Sequence, residues 1–115
     1  MQAFKAAEAA QCAHDQGKFW EYHDVLFANQ RALSIDDLQQ YASQIGLDDA
    51  TFASCLEGGE MQAVVQADLD EGASYGVNAT PAFFINGRPL SGALPFEEFK
   101  KVIDDELARL GLDAP

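Results

Sequence analysis

Cysteine, basic residues and long apolar runs are scarce in this sequence. Cys12 and Cys55 are its only cysteines, and they stand too far apart to form a Cys-x-x-Cys pair. The sequence has seven lysines and arginines and nineteen aspartates and glutamates, which gives a formal net charge of −12. A chain this acidic repels phosphate backbones and anionic lipid surfaces, so we expect neither nucleic acid nor membranes as partners.

Two kinds of apolar segment are also missing. No run of residues approaches the roughly 20 apolar positions that a membrane-spanning helix needs. The opening residues, Met1–Lys5, lack the apolar region of a secretory signal peptide. The sequence therefore predicts no membrane-embedded segment.

Residue patterns typical of metal sites and hydrolytic sites are absent as well. His14 and His23 have no cysteine or carboxylate at metal-ligand spacing, and we predict no metal and no cofactor. The sequence has no glycine-rich phosphate loop and no Ser-His-Asp arrangement. We expect His14 to lie in solvent and His23 in the core, and we predict no catalytic residue in this chain.

What the chain does contain is a series of helical patterns. Its 115 residues, 48% of them hydrophobic, suffice for one domain with a modest core. Ser34 and Asp48 are expected helix caps, and Pro95 suits a first helical position. The predicted helices run from Ala3 to about Gln16, from Lys18 to about Asn29, after Ser34, after Asp48, from Glu60 to about Ser74, and from Pro95 to about Arg109.

The predicted helices carry apolar residues at helical spacing, which predict buried faces. On the first helix these residues are alanines, and the third and fourth helices present Leu38 and Tyr41, and Phe52 and Leu56. The stripe of the second helix is aromatic and consists of Phe19, Tyr22, His23, Leu26 and Phe27. The stripe of the fifth helix includes Met61, Val64, Val65 and Leu69. The stripe of the last helix consists of Phe96, Phe99, Ile103 and Leu107.

Gly76–Arg88, with the sequence GVNATPAFFINGR, predicts a β-hairpin. The apolar run after Pro81 is typical of a buried strand, and a proline fits at the first position of a strand because no ladder hydrogen bond is lost there. The Asn86-Gly87 dipeptide favours a type I′ turn, which returns the chain through Arg88 to Ser91.

This stretch also carries a family resemblance. Gly76–Gly87 resembles the cis-proline loop and hairpin of the DsbA-like thiol-disulfide oxidoreductases, a branch of the thioredoxin superfamily. Gln16–Asp24 resembles the helical insertion of the same family, and the match covers nearly the whole chain in the right order. It implies a helix-rich α/β chain with an incomplete thioredoxin-like fold. Residues 1–115 would form a single domain, with a helical region over about 1–75 and the proline loop, hairpin and C-terminal helix over 76–115.

One part of the family pattern is missing. Family members open with a strand and a Cys-x-x-Cys at the start of a helix, and this sequence has neither. The parent activity that the resemblance implies is dithiol-disulfide exchange. We therefore expect a truncated or degenerate protein disulfide oxidoreductase that is inactive alone. The alternatives are a non-catalytic peptide-binding module that uses the cis-proline edge, and an enzyme in which Cys12 and Cys55 cycle in a glutathione-linked or peroxide reaction.

The resemblance implies a substrate-docking edge at Ala79, Thr80 and Pro81. In thioredoxin-like enzymes, the residue before the cis-proline presents its backbone to the substrate as an extra antiparallel strand. The resemblance therefore predicts a cis Thr80-Pro81 bond. The plainer alternative is a rigid turn that only positions the following strand.

The two cysteines fit a structural role better than a catalytic one. Neither lies at a helix N-terminus or near a cation, the settings that lower the pKa of a reactive thiol. They could form a disulfide if their Cα atoms lie within about 7 Å. Some DsbA-like proteins carry a second, structural disulfide in the helical region, and Cys12 and Cys55 resemble it. Buried free thiols and a working redox pair are the alternatives.

The resemblance also implies partners and a location. Protein thiols and disulfides are the expected substrates. In the family, the Phe83–Ile85 strand pairs with a strand from the missing front half, so we expect an uncovered edge that recruits another chain. A homodimer or domain-swapped oligomer through Phe83, Phe84 and Ile85 is the hypothesis. The parent protein is expected to be periplasmic or secreted.

Overall fold

The computed structural model describes residues 2–114. Met1 and Pro115, the two ends of the predicted domain, lie outside the described residues. The described part contains six helices and two strands. They are α1 (Gln2–Asp15), α2 (Phe19–Ala28), α3 (Ile35–Gln44), α4 (Asp49–Glu57), α5 (Gln62–Ser74), β1 (Ala82–Ile85), β2 (Arg88–Ser91) and α6 (Phe96–Arg109). The predicted helix-rich α/β class, with helices ahead of a hairpin and a closing helix, is confirmed. The chain forms two compact units, one that runs to Asp70 and one that begins at Glu71.

Helices α3 and α4 begin at the predicted caps. The Ser34 hydroxyl accepts a hydrogen bond from the N–H of Asp37 at 3.1 Å, and the Asp37 carboxylate accepts one from the N–H of Ser34 at 3.1 Å. The Asp48 carboxylate accepts from the N–H of Thr51 at 2.8 Å. Hydrogen bonds from Thr51 favour the charged carboxylate and hold the pKa of Asp48 below its usual value. These caps satisfy amides that have no partner inside the helix.

Two lysines cap the opposite ends of the same helices. The Lys18 ammonium donates to the carbonyl of Ile45, which follows α3, at 2.8 Å. The Lys5 ammonium donates to the carbonyl of Leu56, in the last turn of α4, at 2.8 Å. The last carbonyls of a helix have no partner within it, and the C-terminal end of the helix dipole favours a cation. The scarce basic residues therefore tie α1 and the start of α2 to the ends of α4 and α3.

The core of the first unit lies among α1, α2, α3 and α4. Small alanines on α1 allow close packing of the other helices, and the Tyr22 and Phe52 rings meet inside with centroids 5.5 Å apart. The fully buried larger side chains are Tyr22, Phe52, Leu38, Leu56 and Cys12. The other core members are Ala6, Ala9, Ala10, Ala13, Tyr41, Ala42, Leu47 and Cys55.

Tyr22 joins α2 to α3 through a buried hydrogen bond. Its hydroxyl donates to the carbonyl of Leu38 at 2.8 Å. Burial, followed by the nearby Tyr41 phenol, raises the pKa of Tyr22 well above its ordinary value of 10.0. The folded chain therefore keeps this proton at a pH where the unfolded chain has lost it.

We predict that this difference makes the first unit unstable in alkali. The contribution of Tyr22 to stability is complete below the unfolded pKa of 10.0. It is lost as the pH rises further, at about 1.4 kcal/mol per pH unit for one proton. Urea unfolding at a series of pH values above 9 in the wild type and in Tyr22→Phe would measure the slope. The slope should be shallower in Tyr22→Phe, and parallel curves would contradict the prediction.

The second unit contains the hairpin and α6. Strands β1 and β2 pair antiparallel, with Phe83 opposite Leu90 and Ile85 opposite Arg88. Asn86 and Gly87 have φ values of 50° and 82°, as the predicted type I′ turn requires. One face of the hairpin packs on α6, where the Phe83 and Phe99 rings meet edge to face at 5.0 Å.

An ion-pair cluster joins β2 to α6. The Glu106 carboxylate is buried, with the Arg88 guanidinium at 3.8 Å and the Arg109 guanidinium at 2.7 Å. A buried carboxylate requires such partners because its desolvation is otherwise unfavourable. The cluster therefore holds the start of β2 against the last turns of α6.

Three of the predicted buried faces are wrong in part. On α2, only Tyr22 is buried, and Phe27 is 61% exposed. On α6, Phe96 is 72% exposed and Ile103 is also exposed. On α5, Val64 and Leu69 are exposed and only Val65 is buried. In the second unit the reason is size, because a two-stranded hairpin is too small to cover a 14-residue helix.

Helix α6 also differs from its prediction at the start. Pro95 precedes the helix as its cap residue with extended backbone angles, and Phe96 is the first helical residue.

Within residues 2–114, no helix is both long enough and apolar enough to cross a membrane.

Candidate substrate-docking edge

The predicted docking residues form an exposed loop before β1. Ala79, Thr80 and Pro81 are all exposed, and the peptide bond between Thr80 and Pro81 is cis. The N–H of Gly92 donates to the carbonyl of Pro81 at 2.8 Å. The loop is thereby fixed to the end of the hairpin.

The groups of this loop that can bind another chain are its backbone N–H and C=O groups. In the part of the chain that the structure describes, the N–H and C=O groups of Ala79 and Thr80 form no hydrogen bond with protein atoms. Pro81 contributes only a carbonyl, which Gly92 occupies. The edge therefore offers donors and acceptors to an extended chain in the manner of β-strand addition.

The sulfur atoms of the chain form a disulfide between α1 and α4. The Cys12 and Cys55 sulfurs are 2.12 Å apart, and their Cα atoms are separated by 6.0 Å. Both residues are buried, and the described residues contain no free cysteine. The structural disulfide expected from the sequence is present. Because an attacking group must be a thiolate with access to its substrate, this buried disulfide offers no nucleophile in its oxidised form.

The histidines lie away from any catalytic arrangement. His14 is exposed, as expected. His23 was predicted in the core, but its side chain is about one-third exposed, with Nδ1 3.1 Å from the Asp24 carboxylate. Among residues 2–114, no three His, Cys, Asp or Glu side chains lie close enough together to hold a metal ion.

An apolar groove on the first unit was not predicted. It has a volume of about 450 Å³ and runs between α1 and α2. Its floor consists of α1 alanines, and its walls include Phe19, His23, Leu26 and Phe27. The aromatic stripe of α2 that lines this groove was visible in the sequence. We interpreted it as core packing because helical spacing alone does not distinguish a covered face from an open one.

The second unit thus consists of a proline loop, a hairpin and a helix. Comparison with known proteins shows which family has this arrangement. A family model described as Thioredoxin matches residues 1–105. The chain belongs to the thioredoxin family. The resemblance to a DsbA-like domain of the thioredoxin superfamily is thereby confirmed, and the fold is a partial thioredoxin-like one.

Relatives of this thioredoxin-family chain occur within much longer proteins. The Na(+)/H(+) antiporter NhaA 1 of Salinispora arenicola is 38% identical over 103 residues, which cover 90% of this chain and 16% of that protein. The Na(+)/H(+) antiporter NhaA of Herminiimonas arsenicoxydans is 39% identical over 88 residues, which cover 76% and 14%. The chain therefore spans about one-sixth or less of the length of these relatives. No solved structure matches it significantly.

Proposed function

We propose that this chain is the substrate-docking part of a DsbA-family protein disulfide oxidoreductase and that it does not catalyse exchange alone. The supporting observation is the contrast between two features. The docking edge at Ala79 and Thr80 is exposed with free backbone groups, whereas both sulfurs are buried in a disulfide. The sequence itself contains no Cys-x-x-Cys.

The proposed role of this chain follows from the chemistry of thiol-disulfide exchange. A thiolate attacks one sulfur of a disulfide, a mixed disulfide forms, and the other sulfur leaves as a thiolate. This chain supplies neither the attacking nor the leaving sulfur. Its part is to hold a protein thiol or disulfide substrate as an extended strand along Ala79 and Thr80, where backbone hydrogen bonds fix the direction of the substrate.

The proposal predicts no turnover together with retained peptide binding. In an insulin-reduction assay with dithiothreitol, the purified chain should match the uncatalysed rate. An extended cysteine-containing peptide should nevertheless shift the backbone NMR signals of residues 79–81. Thr80→Pro removes a backbone donor and should weaken that binding by about fivefold, the loss of one hydrogen bond. Thr80→Ala removes the side-chain hydroxyl and methyl groups but keeps the backbone N–H, so it should leave the affinity unchanged.

Two outcomes would contradict this assignment. Equal peptide binding by Thr80→Pro and the wild type would show that the edge at Ala79 and Thr80 is not part of the binding site. Catalytic turnover that disappears in Cys12→Ser would favour a redox role for the Cys12–Cys55 pair instead.

A second candidate is a peptide-binding module with no link to redox chemistry. The same exposed backbone edge supports it, because strand addition requires no sulfur. It differs from the first candidate in the peptides that bind. A docking part of an oxidoreductase should prefer a cysteine-containing peptide to its serine counterpart, whereas a general module should bind both equally.

A further inference from the structure

A hydrogen bond from Lys5 joins α1 to α4 on one side of the Cys12–Cys55 disulfide. The Lys5 ammonium donates to the carbonyl of Leu56, the residue next to Cys55, at 2.8 Å. The same ammonium lies 3.3 Å from the carboxylate of Glu8, which is 3% exposed. A buried carboxylate favours a cation at this distance, so Glu8 holds the Lys5 ammonium near the end of α4.

Gln16 joins the same two helices on the other side of the disulfide. It follows α1 directly, and its side-chain oxygen accepts a hydrogen bond from the N–H of Asp48, the N-cap residue of α4, at 2.8 Å. The side-chain nitrogen donates to the carbonyl of Asp48 at 3.4 Å. The disulfide therefore lies between two hydrogen-bonded contacts, and α4 is held on α1 at both of its ends.

These two contacts do not depend on the sulfur atoms. Together with the buried side chains of Phe52 and Leu56, they remain available to the folded chain when the disulfide is reduced. The Cα atoms of the two cysteines are 6.0 Å apart, a separation within the range that a disulfide requires. A helix held in this place keeps the two thiols together, so little further entropy is lost when the bond forms.

We propose that Lys5 and Gln16 are positioning residues for the Cys12–Cys55 disulfide and that they favour its re-formation after reduction. In the reduced chain without either contact, α4 leaves α1 for part of the time. The effective concentration of one thiol at the other then falls. This inference concerns contacts within the first unit and does not depend on the proposed docking function.

The reaction that these residues favour is exchange with a small disulfide oxidant, such as oxidised glutathione. One cysteine thiolate attacks a glutathione sulfur and displaces the other glutathione as a thiolate. The second cysteine loses its proton, attacks the protein sulfur of the mixed disulfide and displaces the remaining glutathione. Two electrons and two thiol protons thus leave the protein, and one glutathione disulfide becomes two glutathione thiols.

Glutathione equilibria measure the proposed effect. The purified chain would be equilibrated at several ratios of reduced to oxidised glutathione, and its free thiols would be counted by alkylation and mass spectrometry. Gln16→Ala should lower the equilibrium constant for disulfide formation by about fivefold, which corresponds to one hydrogen bond. Lys5→Met combined with Glu8→Gln should lower it by a similar factor. The second substitution avoids a buried carboxylate without its cation.

Lys18→Met is the matched control. Lys18 also donates to a carbonyl at a helix end, that of Ile45 at 2.8 Å, but it joins the start of α2 to the end of α3. This variant should unfold at a lower urea concentration than the wild type, whereas its equilibrium constant with glutathione should be unchanged. A wild-type constant in Gln16→Ala would overturn the proposal. An equal decrease in Gln16→Ala and Lys18→Met would also overturn it, because the constant would then follow overall stability.

Amide exchange in the wild type makes the test independent of whether the variants fold. The amide of Asp48 donates to the Gln16 side chain. We expect this amide to stay protected after reduction of the disulfide, because the Gln16 contact holds the start of α4 in place. Loss of its protection on reduction would overturn the proposal, and it would leave the proposed docking role of Ala79 and Thr80 untouched.

Discussion

Reduction of the Cys12–Cys55 disulfide is expected to destabilise the first unit strongly. The bond closes a loop with a sequence separation of 43 between α1 and α4. In the chain-entropy model, release of such a loop increases the freedom of the unfolded chain and lowers the free energy of unfolding by about 4 kcal/mol. Because both cysteines are buried, the native packing around them is expected to change little on reduction.

Urea unfolding of the wild type with and without a reductant would measure this effect. The double variant Cys12→Ala with Cys55→Ala is the control, because it should unfold at the same urea concentration in both solutions. A shift of similar size in the double variant would mean that the reductant acts elsewhere. A difference below about 1 kcal/mol in the wild type would show that the loop is already constrained in the unfolded state.

Replacement of Phe52 by alanine is expected to lower the free energy of unfolding by about 3–5 kcal/mol. Phe52 is 1% exposed and packs against the buried ring of Tyr22. The loss combines the apolar surface removed from the core with the cavity that remains, since surrounding helices relax only in part. Thermal or urea unfolding followed by circular dichroism would measure the change.

Phe27→Ala is the matched control for this prediction. It deletes the same atoms from a phenylalanine that is 61% exposed on α2. We expect its effect to stay within about 0.5 kcal/mol, as for most surface substitutions. A cost for Phe27→Ala as large as that for Phe52→Ala would mean that Phe27 is covered in solution.

Local structure was the most predictable part of this chain. The caps at Ser34 and Asp48 and the turn at Asn86-Gly87 depend on residues within a few positions of each other, so the sequence contains the whole interaction. The helix boundaries agree with the structure to within about two residues, the usual uncertainty of helix ends.

Burial was less predictable because it depends on what covers a helix. Periodicity correctly marked one side of α2 and α6 as apolar, yet Phe27 and Phe96 are exposed. An apolar stripe shows which face prefers to be covered. It does not show whether the chain contains a second surface large enough to cover it.

The docking edge was located through the family resemblance, and the structure added its hydrogen-bond geometry. The sequence placed Ala79, Thr80 and Pro81 in a loop before a strand. The two-residue turn predicted at Asn86-Gly87 also gives the phase of the β-ladder, because Ile85 and Arg88 close such a turn as a hydrogen-bonded pair. The structure adds that the backbone groups of Ala79 and Thr80 have no hydrogen-bond partner among the described residues.

The contacts of the basic side chains bear on the charge balance of this acidic protein in solution. Lys5 and Lys18 are engaged by helix carbonyls, and Arg88, Lys100 and Arg109 by neighbouring carboxylates. These contacts do not change the overall balance of seven basic and nineteen acidic residues, and the chain keeps a formal net charge of −12. Dissolved counterions must compensate this charge, so the ionic strength of the medium becomes part of the environment in which this chain folds.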